Sequence, residues 1–235
     1  MDIIAVASQK GGSGKTTLAG HLAVAADRAQ AGPVALVDTD PQGSLSEWWN
    51  ARQAETPLFA RTGTARLAAD IERMRGLGIK LLIVDTPPAI EATIVEVIRL
   101  VDLVLIPARP SPHDLRAAGA TVELVESLKK PLIFVVNAAT PRARITAEAV
   151  MALSQHGTLA PVIVHHRTSF ASSMIDGRTV MEIAGDARSA QEITQLWEYI
   201  SQRLNKNFQT MLPPALLTPA EEAPKLDEED DACAA

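Results

Sequence analysis

A chain of 235 residues, 47% hydrophobic and 21% charged, suits one globular α/β domain, and with 3% aromatics its core must be filled by Ala, Val, Ile and Leu. The single cysteine, Cys233, excludes an intrachain disulfide, a Cys-rich zinc site and a cysteine-ligated cluster, and no apolar stretch approaches the roughly 20 residues that span a bilayer. The net charge of −6 resides in residues 221–231, "EEAPKLDEEDD", so the remainder is balanced and any nucleic-acid contact must come from a local basic patch.

The start, "MDIIAVASQKGG", has an acidic second residue and no basic n-region, and reads as a first strand rather than a signal peptide. Continuous apolar runs at 3–8, 34–38, 81–85, 103–107, 132–137 and 160–164 predict strands buried on both faces of a parallel sheet. Helical patterns at 15–30, 64–76, 112–129 and 144–156 alternate with them. This is the βαβ rhythm of a doubly wound, mostly parallel α/β sheet. A final helix over about 187–207 carries Ile193, Leu196, Trp197, Ile200 and Leu204 at packing spacing. After Phe208 the composition turns to Pro, Ala and acid, so 1–208 is expected to be the folded domain and 209–235 a disordered tail.

Between the first strand and helix lies "SQKGGSGKTT", residues 8–17. Gly11, Gly12 and Gly14 let the backbone turn sharply, so the N–H groups of Gly11, Gly12, Ser13, Gly14, Lys15, Thr16 and Thr17 can cradle phosphate oxygens at a helix N-terminus. Lys15 is spaced to reach β- and γ-phosphates, and the Thr16 hydroxyl to bind Mg²⁺. Gln9 stands where phosphate loops usually hold a glycine, and Lys10 adds a second cation. Downstream, "VDTDPQGS" (37–44) ends the second strand with Asp38 and Asp40, facing the crevice where open α/β sheets bind ligands; an Asp-Pro pair also caps turns. "LLIVDTPP" (81–88) delivers Asp85 at the end of another strand, and "VVN" (135–137) presents Asn137, which can equally be a helix or turn cap.

Lys-Gly-Gly-x-Gly-Lys-Thr at 10–16 resembles the deviant Walker A loop of the ParA/MinD ATPases, and the likeness covers residues 2–205. It implies a P-loop NTPase fold, with ATP and Mg²⁺ as cofactors. Lys10 then corresponds to the signature lysine, which reaches across an ATP-dependent homodimer to the partner's nucleotide. By the same resemblance Lys10, Lys15 and Asp40 are catalytic, with Asp40 orienting the attacking water. Thr16, Asp38 and Asp85 lie at the metal, and Asn137 reads the adenine. "IPARPSPHDLRAAG" (106–119) resembles the family's Pro-x-x-Pro-Ser-Pro-x-Asp segment near the dimer interface.

The family divides by what the ATP dimer holds. The acidic tail opposes a MinD-like membrane association, which stays as an alternative beside a P-loop regulator of a cell-surface or biosynthetic system that does not touch DNA. The ParA-like reading implies non-specific DNA binding and a ParB-like or other stimulating partner. It also implies slow ATP hydrolysis, a cytoplasmic, nucleoid-associated location, and a plasmid, chromosome or protein cargo. Arg142 and Arg144, then Arg167 and Arg178 in "HHRTSFASSMIDGRTVME" (165–182), are the basic residues expected at DNA phosphates. His165 and His166 lack partners at ligand spacing and are expected to be structural.

Overall fold

A computed structural model describes residues 1–88 and 92–211. The strands β1 (Asp2–Val6), β2 (Val34–Asp38), β3 (Leu58–Phe59), β4 (Leu81–Asp85), β5 (Leu103–Ala108), β6 (Leu132–Val136) and β7 (Thr158–Leu159) form one sheet in the order β3-β2-β4-β1-β5-β6-β7. Every pairing is parallel, and the register aligns Val6 with both Asp85 and Leu105, Asp38 with Asp85, and Ala108 with Val136. β2, β4 and β1 therefore end level, β5 and β6 end together a little beyond them, and the loops that follow all five open on one rim.

Alternate residues of each strand face opposite layers. Ile4, Val6, Leu36, Ile83, Leu105 and Val135 pack against α1 (Lys15–Arg28), α2 (Ser44–Ala51), α7 (Thr168–Met174), α8 (Val180–Ile183) and α9 (Arg188–Met211). Ile3, Ala5, Val37, Val84, Val104 and Phe134 pack against α3 (Thr64–Gly76), α4 (Ala92–Leu100), α5 (Pro112–Ser127) and α6 (Arg144–Ser154). Burial on both faces is why these strands read as unbroken apolar runs. Ile193, Leu196, Trp197, Ile200 and Leu204 of α9 are all buried, as their spacing requires.

One expected strand is corrected. Residues 160–164 form no regular strand; β7 ends at Leu159. Ala160 N–H still donates to Phe134 O (2.9 Å) and Val164 N–H to Val136 O (3.0 Å). Pro161 has no N–H to give, and twice as much chain spans Ala160 to Val164 as spans Phe134 to Val136, so the segment bulges away from the edge. At the other terminus α9 continues to Met211, past the expected domain limit at Phe208, and the remainder of the expected tail lies outside the described residues.

Candidate nucleotide site

The glycine-rich loop joins β1 to α1. Gly12 and Gly14 adopt φ of 73° and 93°, a left-handed conformation that side chains disfavour. Gly14 is also pressed from outside: a Cβ there would lie 2.2 Å from Asn137 Nδ2. Asn137, buried at the end of β6, donates from that nitrogen to Ser13 O (2.7 Å) and so pins the loop. No side chain caps α1 and no acid occupies its first turn, which leaves its N–H groups and positive dipole end for an anion.

Lys15 folds back over the loop. Its Nζ donates to Ser8 O (3.2 Å) and Lys10 O (3.3 Å). Burial holds its pKa below the usual lysine range, and Asp85 and Asp40 offset only part of that. Thr16 Oγ1 donates to Asp85 Oδ2 (2.6 Å). Burial pushes the Asp85 carboxyl up to about 7 despite that hydrogen bond, with Asp38 and Asp40 adding to the rise. Asp85 Oδ1 is buried with no partner. A hydroxyl beside an unpartnered carboxylate oxygen is a hard-oxygen pair that fits Mg²⁺, which completes its shell with water and phosphate. Among the described residues no cluster of three or more His, Cys, Asp or Glu forms an all-protein metal cage.

Asp38, expected near the metal, is held by its own loop. Its Oδ1 accepts from Asp40 N–H (3.0 Å), and its Oδ2 from Ser46 N–H (2.9 Å) and Ser46 Oγ (3.1 Å). It fastens the β2–α2 loop while standing beside Asp85 in register. That loop holds Asp40 in the wall of a cavity of about 620 Å³, with Gly11, Gly12, Gly14, Lys15, Thr16, Thr17 and Pro88. A second cavity, of about 190 Å³, is lined by Asn137, His165, His166, Arg167 and Phe170. Gly14, Thr17 and Arg109 line both.

Lys10 is engaged within its own chain. Its ammonium bonds to Asp114 Oδ2, an oxygen that also accepts from Ser111 Oγ. Burial alone would raise the Asp114 carboxyl, but the bonds from Lys10 and Ser111 outweigh it and hold the pKa below the usual value. The Lys10 side chain is still 38% exposed. The Ser111–Asp114 spacing is a helix-start pattern, and Ser111 Oγ does cap α5 by accepting from Asp114 N–H. The far end of the pair, at residue 10, had no signal in the sequence.

Of the four arginines expected at DNA, Arg144, Arg167 and Arg178 each meet an acid. Arg144 pairs with Glu148 (2.9 Å), and Arg178 with Asp176 (2.6 Å), at 93% and 53% exposure. Such exposed pairs exchange readily with solvent. Arg167 is different. It forks onto Glu192 at 2.6 and 2.8 Å, and Glu192 also accepts from His165 N–H (3.1 Å) and bonds His165 Nδ1 (2.8 Å). Arg167 thus closes an ion pair within the chain while its side chain stays 26% exposed.

Residues 4–180 match the CobQ/CobB/MinD/ParA nucleotide-binding domain family. Over 205 residues the chain is 31% identical to the maintenance of carboxysome distribution protein A of Halothiobacillus neapolitanus, covering 82% of this chain and 93% of that one. The fold is similar to an ATP complex of Cyanothece McdA, with a TM-score of 0.68 at 17% identity over 87% of this chain and 96% of the other. It is also similar to the Mg-ADP complex of Pyrococcus horikoshii MinD, with a TM-score of 0.72 at 16% identity over 87% of this chain and 98% of the other.

Proposed function

The chain belongs to the CobQ/CobB/MinD/ParA family of nucleotide-binding P-loop proteins, and on that premise we propose that it is a slow Mg-ATPase that distributes an intracellular cargo over DNA. The observation that carries this reading is the convergence of Lys15, Thr16 and Asp40 on one cavity above an uncapped helix N-terminus, with the buried Asp85 hydrogen-bonded to Thr16. Lys15 neutralises the β- and γ-phosphates, Thr16 and Asp85 hold Mg²⁺, and Asp40 orients the attacking water. When bound, Mg²⁺ supplies charge neutralisation on the phosphates. ATP binding draws Lys10 from Asp114 towards the nucleotide of a second copy, where its charge counters that of the transferring phosphoryl group.

The cargo reading rests on the Halothiobacillus relative, whose name assigns it to carboxysome distribution. By analogy the cargo is a protein microcompartment, with a small partner protein that stimulates hydrolysis, and the protein is cytoplasmic and nucleoid-associated. No described helix is long and apolar enough to cross a membrane. A DNA-independent regulator is the second reading, favoured by the acid partners found for Arg144, Arg167 and Arg178. DNA retardation with ATP against ADP, at two salt concentrations and with molecular mass followed by size exclusion, separates the two. Pairing two weak basic surfaces raises avidity by about 10²–10⁴-fold, so retardation should need ATP and fade steeply with salt. An ATP-dependent dimer that ignores DNA at low salt establishes the second reading.

A further inference from the structure

The β5–α5 loop carries one basic side chain that neither the motif nor the ion pairs account for. Arg109 follows β5 on the nucleotide rim, and its guanidinium lies over the phosphate loop: a Cβ on Gly12 would sit 3.7 Å from Arg109 Nη2. Among the described residues no carboxylate pairs with it, whereas Arg52, Arg144, Arg167 and Arg178 all have one. It shares a cavity wall with Lys15 and the first residues of α1, where positive charge and open N–H groups suit an anion.

Its position relative to the two cavities fixes which anion. The larger cavity surrounds the phosphate loop and the smaller one lies beyond Asn137, and Arg109 lines both together with Gly14 and Thr17. A nucleotide with its terminal phosphates over Lys15 and its base among Asn137, His166 and Phe170 must pass Arg109 at the junction. The group that crosses there is the phosphate nearest the sugar. We propose that Arg109 is a nucleotide-contacting residue that grips the α-phosphate of the ATP or ADP bound to its own chain. This rests on the reading of the loop as an ATP site. A planar guanidinium suits the task, because it can give two N–H bonds to one phosphate and remains charged at any working pH.

Equilibrium titration with ATP and with ADP, on wild type, Arg109→Ala, Arg109→Lys and Lys15→Ala, tests it. Protein is kept at concentrations where size exclusion reports monomer. Losing a charge-assisted phosphate contact should weaken Arg109→Ala for both nucleotides by about 10-fold or more, with Arg109→Lys recovering part of the loss. The α-phosphate is common to both ligands, so the two losses should match. Thermal melting of the nucleotide-free variants should coincide with wild type, since among the described residues the side chain has no acid partner to lose. Wild-type affinity in Arg109→Ala overturns the proposal. So does a loss confined to ATP, which would place the contact on the γ-phosphate, or a loss that appears only when the protein dimerises, which would place it on the partner's nucleotide. If wild type binds neither nucleotide, or Lys15→Ala binds both unchanged, the ATP-site reading itself fails and Arg109 loses its premise.

Discussion

His21 lies fully buried on α1, six residues after Lys15, and shows how the phosphate helix is anchored. Thr17 O, which can only accept, is 2.8 Å from Nδ1, and Val180 N–H, which can only donate, is 3.3 Å from Nε2. Only the neutral ring with its proton on Nδ1 satisfies both. Burial accordingly lowers its pKa to about 4, against small opposing contributions from Thr17 and Glu182. The unfolded chain takes up this proton near pH 6.5 and the folded chain does not until about pH 4. Stability from this group is thus complete above pH 6.5 and should fall by about 3 kcal/mol as pH drops to 4. Urea unfolding at several pH values should show that slope, and His21→Gln should flatten it. Asp40 has a chemical prediction instead. Asp40→Ala keeps the phosphate contacts and loses the group that aligns water, so it should bind ATP normally and hydrolyse it roughly 100-fold more slowly. Single-turnover kinetics against equilibrium binding reads the two effects apart, and unchanged turnover removes Asp40 from the mechanism.

Among the elements, α2 and the α7–α8 connection are fastened more tightly than their short lengths suggest. Arg52, just after α2, forks onto Glu182 at 2.6 and 2.9 Å, donates to Gly177 O (2.8 Å) and stacks on Trp48. Glu182 in turn completes a capping box with Thr179 at the start of α8. Gly177, at φ 77°, lies so close that a Cβ would be 2.3 Å from the Arg52 backbone. Gly177→Ala should therefore cost about 2 kcal/mol or more through strain and overpacking, and a melting temperature unchanged from wild type would show that the contact yields. None of this was visible in the sequence. The core strands and the long helices were, because burial on both faces and a helical stripe leave a period in the residues; α3 spans Thr64–Gly76, the range its pattern gave. The two-residue β3 and the single-turn α8 are too short to carry a period. The run at 160–164 failed for the opposite reason, because its apolar residues are real but Pro161 cannot pair. In the site, Lys15, Thr16 and Asp85 were legible because a phosphate loop fixes their spacing. Asp114 as the partner of Lys10 and Arg109 over Gly12 arise only when β1 and β5 lie side by side.

For the molecule as a whole, all the chemistry sits on one rim of the sheet, while α9 closes the layer that holds α1. Trp197, Ser201, Leu204 and Asn205 of α9 lie with Met1, Asp2 and Leu81, at the start of the strands and away from the phosphate loop. Among the described residues the last member of either hydrophobic layer is Leu204. Deleting 213–235 should leave the melting temperature within about 3 °C, equivalent to about 1 kcal/mol, and leave ATP turnover unchanged. Differential scanning calorimetry checks the first and phosphate release the second; a large drop in either would assign the acidic segment a docked position.

The seat of Trp48 has an optical consequence. The indole is buried, donates to Arg178 O (3.1 Å), lies under the Arg52 guanidinium and forms part of the wall of the larger cavity. Of the three tryptophans in the chain it is the one on that wall. Ultraviolet emission from the unlabelled protein should therefore change in colour and intensity as the cavity fills, turning the molecule into its own indicator of occupancy, with Trp48→Phe as the dark control.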